Sequence, residues 1–433
     1  MWKWKKETVK NIAGKAGAIF LSAALLMANA PQQAKADYIR GKYSNKKAGN
    51  EIIIKTAKQF NSFARAVTDG QSYQGKTVKL GADIKFTHTE AEMAGGGKRR
   101  NAFEGTFDGN GYTISGMKES WGASLSDYVG LFSITGKNAV IKNVIITNAK
   151  ITSGKAKSAG ILVGYNQGFI NNCKVVDSSI TTTNSTKAGG VAGECVGGKI
   201  YNCMNINTDV LGKGGVSHCG GIVASMEKSE VYHCGFTGDV EGKTDAGGIA
   251  GFMYPSASVT HCYSAGSVSS TRAGSYSGGL MGRAAGTVSD CYYASDLSDT
   301  AWGTAYKSGF SESEINSKSL NKMASAAFAK TLNKADKRNS ERIPWVIKKG
   351  CNYPQPGDVY AIGKSAGSSV TITCKKNCAY KGKSISFSVS AKAGQKVKSV
   401  TVKTNKGKKV VLSKKGSKYQ FKMPASPVVI QAK

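Results

Sequence analysis

At 433 residues the chain is long enough to bury a large core and to hold two or three domains, and its formal charge of +33 implies an anionic partner. The charge is uneven: residues 366–433 hold 16 lysines and no acid, whereas 130–291 carry 13 Lys/Arg against 9 Asp/Glu. No window after the first 36 residues is apolar enough for a membrane-spanning helix, which leaves nucleic acid, acidic wall polymers or acidic lipid surfaces as partners, to be chosen by compartment.

The first 36 residues choose it. Lys3, Lys5, Lys6, Lys10 and Lys15 precede an apolar stretch, 16–27, too short to cross a bilayer. Ala34-Lys35-Ala36 before Asp37 is the better cleavage site, because Pro31 compromises Ala28-Asn29-Ala30. With no cysteine at the site, lipid attachment is not expected. This pattern predicts an exported bacterial protein, of a Gram-positive organism, and argues against nucleic acid as the partner.

Residues 37–101 read as an N-terminal strand and helix cap. A strand at 51–54 is followed by Thr56, which caps a helix with Gln59 three residues on and with Phe60, Phe63, Ala64 and Val67 on one face. Strand-like runs at 77–80 and 84–86 and a basic loop at 95–100 follow. Then two short strands flank the turn Asp108-Gly109-Asn110-Gly111.

From 102 to 297 a phrase recurs about every 30 residues: Gly160-Ile161-Leu162-Val163-Gly164, Gly189-Gly190-Val191-Ala192-Gly193, Gly220-Gly221-Ile222-Val223-Ala224, Gly247-Gly248-Ile249-Ala250-Gly251 and Gly278-Gly279-Leu280-Met281-Gly282, with a looser first copy at Gly130-Leu131-Phe132. Each is followed by Ile170-x-x-Cys173, Ile200-x-x-Cys203, Val231-x-x-Cys234, Val259-x-x-Cys262 or Val288-x-x-Cys291, with Ile141-x-x-Val144 in the first repeat. Such short apolar runs fit neither an ordinary sandwich nor an α-solenoid. They predict an all-β chain built on a right-handed parallel β-helix of six coils, with glycine pairs at corners that need positive φ. Five cysteines at one phase predict an inward column of buried thiols.

Residues 298–353 read as a C-terminal helical cap. Ser311 and Glu314 form a capping box, Leu320, Met323, Ala324, Ala327, Phe328 and Thr331 line one face, and Trp345 and Tyr353 close the end. A Pro/Gly/Ser-rich linker, 354–369, leads to a small antiparallel β-domain at 370–433 with period-two strands at 370–373, 384–390, 397–403, 410–412, 419–422 and 428–430. Cys374 and Cys378 are its candidate disulfide.

The repeats resemble the GLUG motif of bacterial surface adhesins and of proteins near immunoglobulin A peptidases, a resemblance strengthened by Gly-Thr-Phe-Asp-Gly-Asn-Gly-Tyr-Thr-Ile-Ser-Gly at 105–116. The tail, through Tyr419-x-Phe421-x-Met423-Pro424, resembles the divergent internalin-type B repeat, whose role is commonly surface association or spacing. These resemblances imply a β-helix at the cell surface. No sortase motif or other wall-anchoring module is visible.

An enzyme would need clustered carboxylates on one outer face. Glu104 and Asp108 are the one close acidic pair near the first repeat, Asp108 reads as a turn residue, and the peptidase signature His-Glu-x-x-His is absent. The residues before the cysteine phase, Asn143, Asn172, Asn202, His233, His261 and Asp290, stack into a column that reads either as a metal site or as a ladder of corner residues, the ladder being preferred. No cofactor or metal is expected. The sequence therefore predicts a secreted or surface adhesin-like binding protein without catalysis, in which Lys375, Lys376, Lys381, Lys383, Lys406, Lys408, Lys409, Lys414 and Lys415 contact acidic cell-wall polymers or host glycans and polyanions. Tyr380, Phe387, Tyr419 and Phe421 fit strand-core positions better than a base-stacking platform, so nucleic acid is not the expected partner. The alternatives are a β-helix enzyme acting on an acidic polysaccharide through Asp108 or His233, and an inert spacer. No partner protein can be inferred.

Overall fold

The computed structural model describes residues 51–87, 91–96, 101–120, 127–184, 187–215, 217–306, 308–334, 342–348, 351–374, 378–380, 382–404, 407–424, 426 and 428–433. The expected signal peptide, the polar 37–50 stretch and residues 97–100 of the basic loop lie outside them. The described residues divide into two compact units: one comprises 51–323 with 332–343, and the other 324–331 with 344–433.

In the first unit every paired strand runs parallel to its counterpart one coil away, giving a parallel β-solenoid of about eight turns. A 20-stranded sheet bends around most of each coil, and sheets of seven and six strands complete it. Register follows the apolar phase. Ile141 pairs with Ile170, Ile170 with Ile200, Ile200 with Val231, Val231 with Val259 and Val259 with Val288. All are at most 1 % exposed, each contributing about 1.5–3 kcal/mol through burial. The stack extends beyond the six repeats because Glu51–Ile54, Thr77–Leu80 and Thr106–Asp108 already pair in parallel ahead of them and Ser311–Lys318 pairs in parallel after them. The strands on either side of Asp108-Gly-Asn-Gly do not pair with each other. Thr106–Asp108 pairs with Thr77–Leu80 and Val140–Lys142, and Thr113–Ser115 with Ile84–Lys85 and Ile145–Thr147.

The glycine doublets are required for a different reason from the one the sequence suggests. None of the repeat glycines lies in the left-handed region. Instead, a Cβ on Gly160, Gly189, Gly220, Gly247 or Gly278 would fall within 3.0 Å of the carbonyl oxygen three residues ahead, that of Val163, Ala192, Val223, Ala250 or Met281. The chain doubles back there so tightly that only hydrogen fits.

Positive φ is found in the column before the cysteines: Asn143 (55°), Asn172 (55°), Asn202 (54°), His233 (58°), His261 (54°), Asp290 (52°) and Glu314 (54°). One left-handed residue breaks the two-residue alternation of the strand. Ile170 and Cys173, three apart, can then both face the core. Asn, Asp and His are the non-glycine residues that accept this conformation most readily. The five cysteines after the column are all buried to within 1 % and unbridged, as the repeat phase predicts.

The N-terminal helix, Ala57–Thr68, forms as its sequence predicts. Thr56 Oγ1 accepts from Gln59 N at 3.2 Å, Lys55 N donates to Gln59 Oε1 at 2.7 Å, and the buried face includes Phe60, Phe63, Ala64 and Val67. Phe60 and Phe63 meet Phe107, Phe103 and Phe132 at ring separations of 5.7–6.2 Å, so the helix covers the first coils with an aromatic plug.

At the other end the structure departs from the expected capping box. Ser311–Lys318 is a strand, seven of whose residues pair with Thr287–Ala294. The edge of the preceding coil offers a full row of unpaired backbone groups, and satisfying it outweighs a local helix signal. Among the described residues of this segment helices run over Leu320–Met323 and Ala326–Lys334, started by Asp296 Oδ2 accepting from Leu320 N and by Ser325 Oγ accepting from Phe328 N.

The second unit contains two four-stranded sheets around Ile362, Ile372, Ile385, Phe387, Val402, Phe421, Val428 and Ile430. Its pairings are antiparallel except for Val359–Ala366 with Val428–Ala432. The expected linker is therefore partly wrong: Val359–Ala366 is a strand of this domain, held by buried Ile362. Trp345 is buried in a two-residue strand paired with Gln355–Pro356. The expected strand at 410–412 is irregular, and Val411 stands 88 % exposed.

Gly220→Ala is expected to lower stability to urea by about 1–3 kcal/mol or more, because the backbone itself must move. Gly197→Ala, at φ 70° with nothing within 4 Å of its Cβ, costs only the left-handed penalty of about 1–2 kcal/mol without a packing clash. The distinguishing measurement is the change in urea midpoint and slope. A loss confined to Gly197→Ala would contradict the close-approach account.

Candidate functional sites

The lysine-rich domain brings some of the nominated residues together and separates others. Lys408 and Lys409 are exposed at the turn closed by Thr404 N donating to Lys408 O at 2.8 Å and Gly407 N donating to Thr404 O at 2.9 Å. Lys414 and Lys415 are exposed on Ser413–Lys415, opposite Tyr419 and Lys418, and the Lys414 ammonium lies 5.5 Å from the Tyr419 ring centre. These four lysines flank the exposed Val411. Lys383 is half-buried and sits elsewhere. It precedes the Ser384–Lys422 end of its hairpin, about 13 Å along the strand from the Ser388–Lys418 end. Lys375, Lys376, Lys381 and Lys406 lie outside the described residues. Cys374 is buried, its Sγ 3.9 Å from Ser386 O, and the side chain of Cys378 lies outside the described residues.

The left-handed column forms a hydrogen-bonded ladder. Asn143 Nδ2 donates to Asp108 Oδ1 at 2.9 Å, Asn172 Nδ2 to Asn143 Oδ1 at 2.8 Å, and Asn202 Nδ2 to Asn171 Oδ1 at 2.8 Å. Ile343 N then donates to Asn202 Oδ1 at 2.9 Å, so a returning segment covers the column at mid-stack. His233 is fully buried beneath it. Burial, then the Arg342 charge, hold its pKa well below the usual histidine value. His261 Nδ1 is 3.6 Å from Asp290 Oδ2. Among the described residues no group of three or more His, Cys, Asp or Glu is placed to hold a metal ion. Asp108 accepts from Asn110 N at 2.8 Å as a turn residue, and Glu104 Oε2 accepts from Asn138 N at 3.0 Å.

Two arrangements escaped the sequence reading. Asp209 and Asp239 are register partners on an outward face, each raised above the usual carboxylate pKa by partial burial, with the Asp209 charge adding to the effect on Asp239. The second is a buried ion pair on the outer side of the glycine corner. The Asp245 carboxylate is fully buried; its Oδ1 accepts from Arg283 Nε at 3.1 Å and Nη2 at 3.0 Å, and its Oδ2 lies 2.5 Å from His218 Nδ1. Arg283 Nη1 also donates to Tyr306 Oη at 3.0 Å, and the guanidinium lies 5.2 Å from the Phe252 ring and 4.9 Å from that of Tyr276. Burial works against the charge on Arg283, but Tyr306 and Asp245 outweigh it and its pKa is raised. These residues are 23–38 positions apart, and only the phase of the repeat, the second residue before each Gly-Gly and the first after the closing glycine, places them side by side.

The chain is thus a parallel β-solenoid protein with a small β-domain. No protein-family model matches it, so the GLUG and internalin-type resemblances rest on the residues quoted for them. A solved structure, that of a candidate immunoglobulin A1 protease from Bacteroides ovatus, is similar with a TM-score of 0.54 at 21 % identity, over 72 % of this chain and 94 % of that one; the likeness is one of fold. A candidate Gly-rich membrane protein of Evansella cellulosilytica is 30 % identical over 131 residues, 29 % of this chain, and the chain spans 14 % of that relative's length. Among the described residues no helix is long and apolar enough to cross a membrane.

The depressed pKa of His233 makes the fold sensitive to acid. The unfolded chain takes up a proton below about pH 6.5 and the folded chain resists it, so stability is full above that value and falls as pH falls below it. His233→Asn, which copies Asn202 one coil earlier, is expected to flatten the dependence of the urea midpoint between about pH 6.5 and 5. An unchanged slope would mean that His233 is not the titrating group. Arg283→Met is expected to cost about 3 kcal/mol, because it leaves a buried carboxylate without its cation; a loss under about 0.5 kcal/mol would show that Asp245 is otherwise satisfied.

Proposed function

We propose that this is a secreted or cell-surface binding protein, adhesin-like and without catalysis, whose C-terminal domain holds acidic cell-wall polymers or host polyanions by charge. The observation that carries the reading is the group Lys408, Lys409, Lys414 and Lys415, exposed in one eight-residue segment of a stretch, 366–433, that has no acidic residue to neutralise it. Several solenoid cations, by contrast, already have partners, including Lys187 with Glu194 at 2.7 Å, Lys199 with Glu230 at 3.2 Å and Arg283 with Asp245. Unneutralised lysines on turns attract a polyanion at long range and release it as salt rises.

A second reading, an enzyme acting on an acidic polysaccharide, is favoured by the Asp209–Asp239 pair and its raised pKa values. Of the residues first nominated for that role, Asp108 accepts from Asn110 N within its turn and His233 is a left-handed residue buried in the column. The similar Bacteroides protein is by name a candidate protease, at an identity that bears on fold alone.

The test is co-sedimentation of the whole protein with purified Gram-positive cell walls across a salt titration. Wild type is expected to pellet at about 50 mM NaCl and to be released by about 0.5 M. The quadruple variant Lys408→Glu, Lys409→Glu, Lys414→Glu, Lys415→Glu is expected to bind at least about tenfold more weakly. Equal pelleting of the two proteins, or binding that salt does not touch, would overturn the reading. Release of shortened polysaccharide by wild type but not by Asp239→Asn would instead support the enzyme.

A further inference from the structure

The Asp245–Arg283 pair sits beside an unexplained hollow. Phe252, Tyr254, Pro255, Ala285, Tyr306 and Ser308 line a cavity of about 280 Å³. Among the described residues three tyrosines are exposed, Tyr254 (39 %), Tyr276 (36 %) and Tyr306 (44 %), and all three gather here. Tyr276 and Tyr306 touch Arg283 directly, and Tyr254 packs on Phe252 with ring centres 4.6 Å apart. We propose that this hollow is a binding subsite for a neutral sugar ring.

Three features of the site favour that ligand. The first is charge. Arg283 is matched by a buried carboxylate, so its own charge is already neutralised beside the hollow. The second is donor geometry. A guanidinium has five N–H groups, three of which are committed to Asp245 and Tyr306, leaving two fixed donors for the acceptor oxygens of a ligand. The third is the exposure of flat rings with polar tips. The C–H face of a pyranose packs on an aromatic ring while its hydroxyls reach the tyrosine and serine hydroxyls and the remaining guanidinium protons.

The site is also held in place before any ligand arrives. Arg283 is fixed at three nitrogens and flanked by Phe252 and Tyr276, and Asp245 is fixed by the solenoid backbone through Asp245 N donating to Ser217 O at 3.2 Å. A preformed subsite loses little entropy on binding, and a single ring held by one hollow is expected to bind with a Kd on the order of 1 mM.

The test is saturation-transfer NMR on the whole protein with cellotetraose and chitotetraose as neutral probes and a proline-rich decapeptide as the rival occupant. Transfer to ring protons of at least one tetrasaccharide is expected, unaffected by 0.5 M NaCl. Tyr254→Ala and Tyr306→Ala should each weaken it about tenfold, with Tyr306→Phe weakening it less and keeping the fold intact for comparison. The quadruple lysine variant should bind the tetrasaccharide as wild type does, which separates this subsite from the polyanion site. Absence of transfer from both tetrasaccharides, transfer unchanged in the tyrosine variants, or transfer from the peptide alone would overturn the proposal.

Discussion

Each coil of the solenoid turns back on itself at a glycine whose missing side chain is replaced by a backbone carbonyl. At Gly160, Gly189, Gly220, Gly247 and Gly278 the oxygen of the residue three ahead occupies the volume a Cβ would need. This lets the six-stranded and seven-stranded sheets meet at a corner without an intervening layer of side chains. Gly193, Gly251 and Gly282 extend the same close approach to backbone atoms of the preceding coil. With the corner closed this tightly, the coils can stack in register, and the backbone groups of each find partners in the next.

A second constraint sits at the bend of the long sheet. A strand whose side chains alternate cannot turn a corner and still bury a residue three positions later, unless one residue leaves the extended conformation. The left-handed residue before each cysteine does this in every repeat. Its side chain is then spare, and in the early coils it bonds to an asparagine or aspartate one rung away. A small apolar residue must follow, because the chain has just turned inward, and cysteine fills that place in five coils. Two core thiols outside that column have their pKa pushed up by burial, that of Cys195 to about 11 and that of Cys219 to about 12. Thiols so placed act as small apolar fillers rather than nucleophiles.

The period, the inward cysteine phase and the N-terminal helix were legible because each is written in a local pattern, repeated at a fixed spacing or set by a cap and one apolar face. What escaped the sequence depends on neighbours that the local pattern does not contain. Ser311 to Lys318 carries a helix-start signal, but the exposed edge of the coil before it imposes a strand. Val359 to Ala366 lies among glycines, serines and prolines, yet Ile362 anchors it beside a strand more than sixty residues away. The glycine pairs were located correctly and explained wrongly, since sequence shows that a residue is glycine without showing whether torsion or space demands it. The Asp245–Arg283 pair could have been found by writing the repeats beneath one another. Its residues occupy outward positions where one coil has Lys187 and Glu194, itself an ion pair.

That last correspondence bears on function. At one level of the stack the outward positions flanking the corner hold Lys187 with Glu194. At the next levels these positions hold His218 and Ser225, then Asp245 and Phe252, then Tyr276 and Arg283, and the contacts between the two columns run diagonally from one coil to the next, His218 to Phe252 and Asp245 to Arg283. A repeating backbone fixes the spacing of these columns, and substitution within them changes the chemistry presented without touching the core. Ion pairs there match several of the solenoid's cations, and Tyr254, Tyr276 and Tyr306 stand exposed beside one of them, whereas residues 366–433 hold lysines and no acid. Under the two proposals made for them the units would take different ligands, one through shape and ring faces and the other through net charge that salt can switch off.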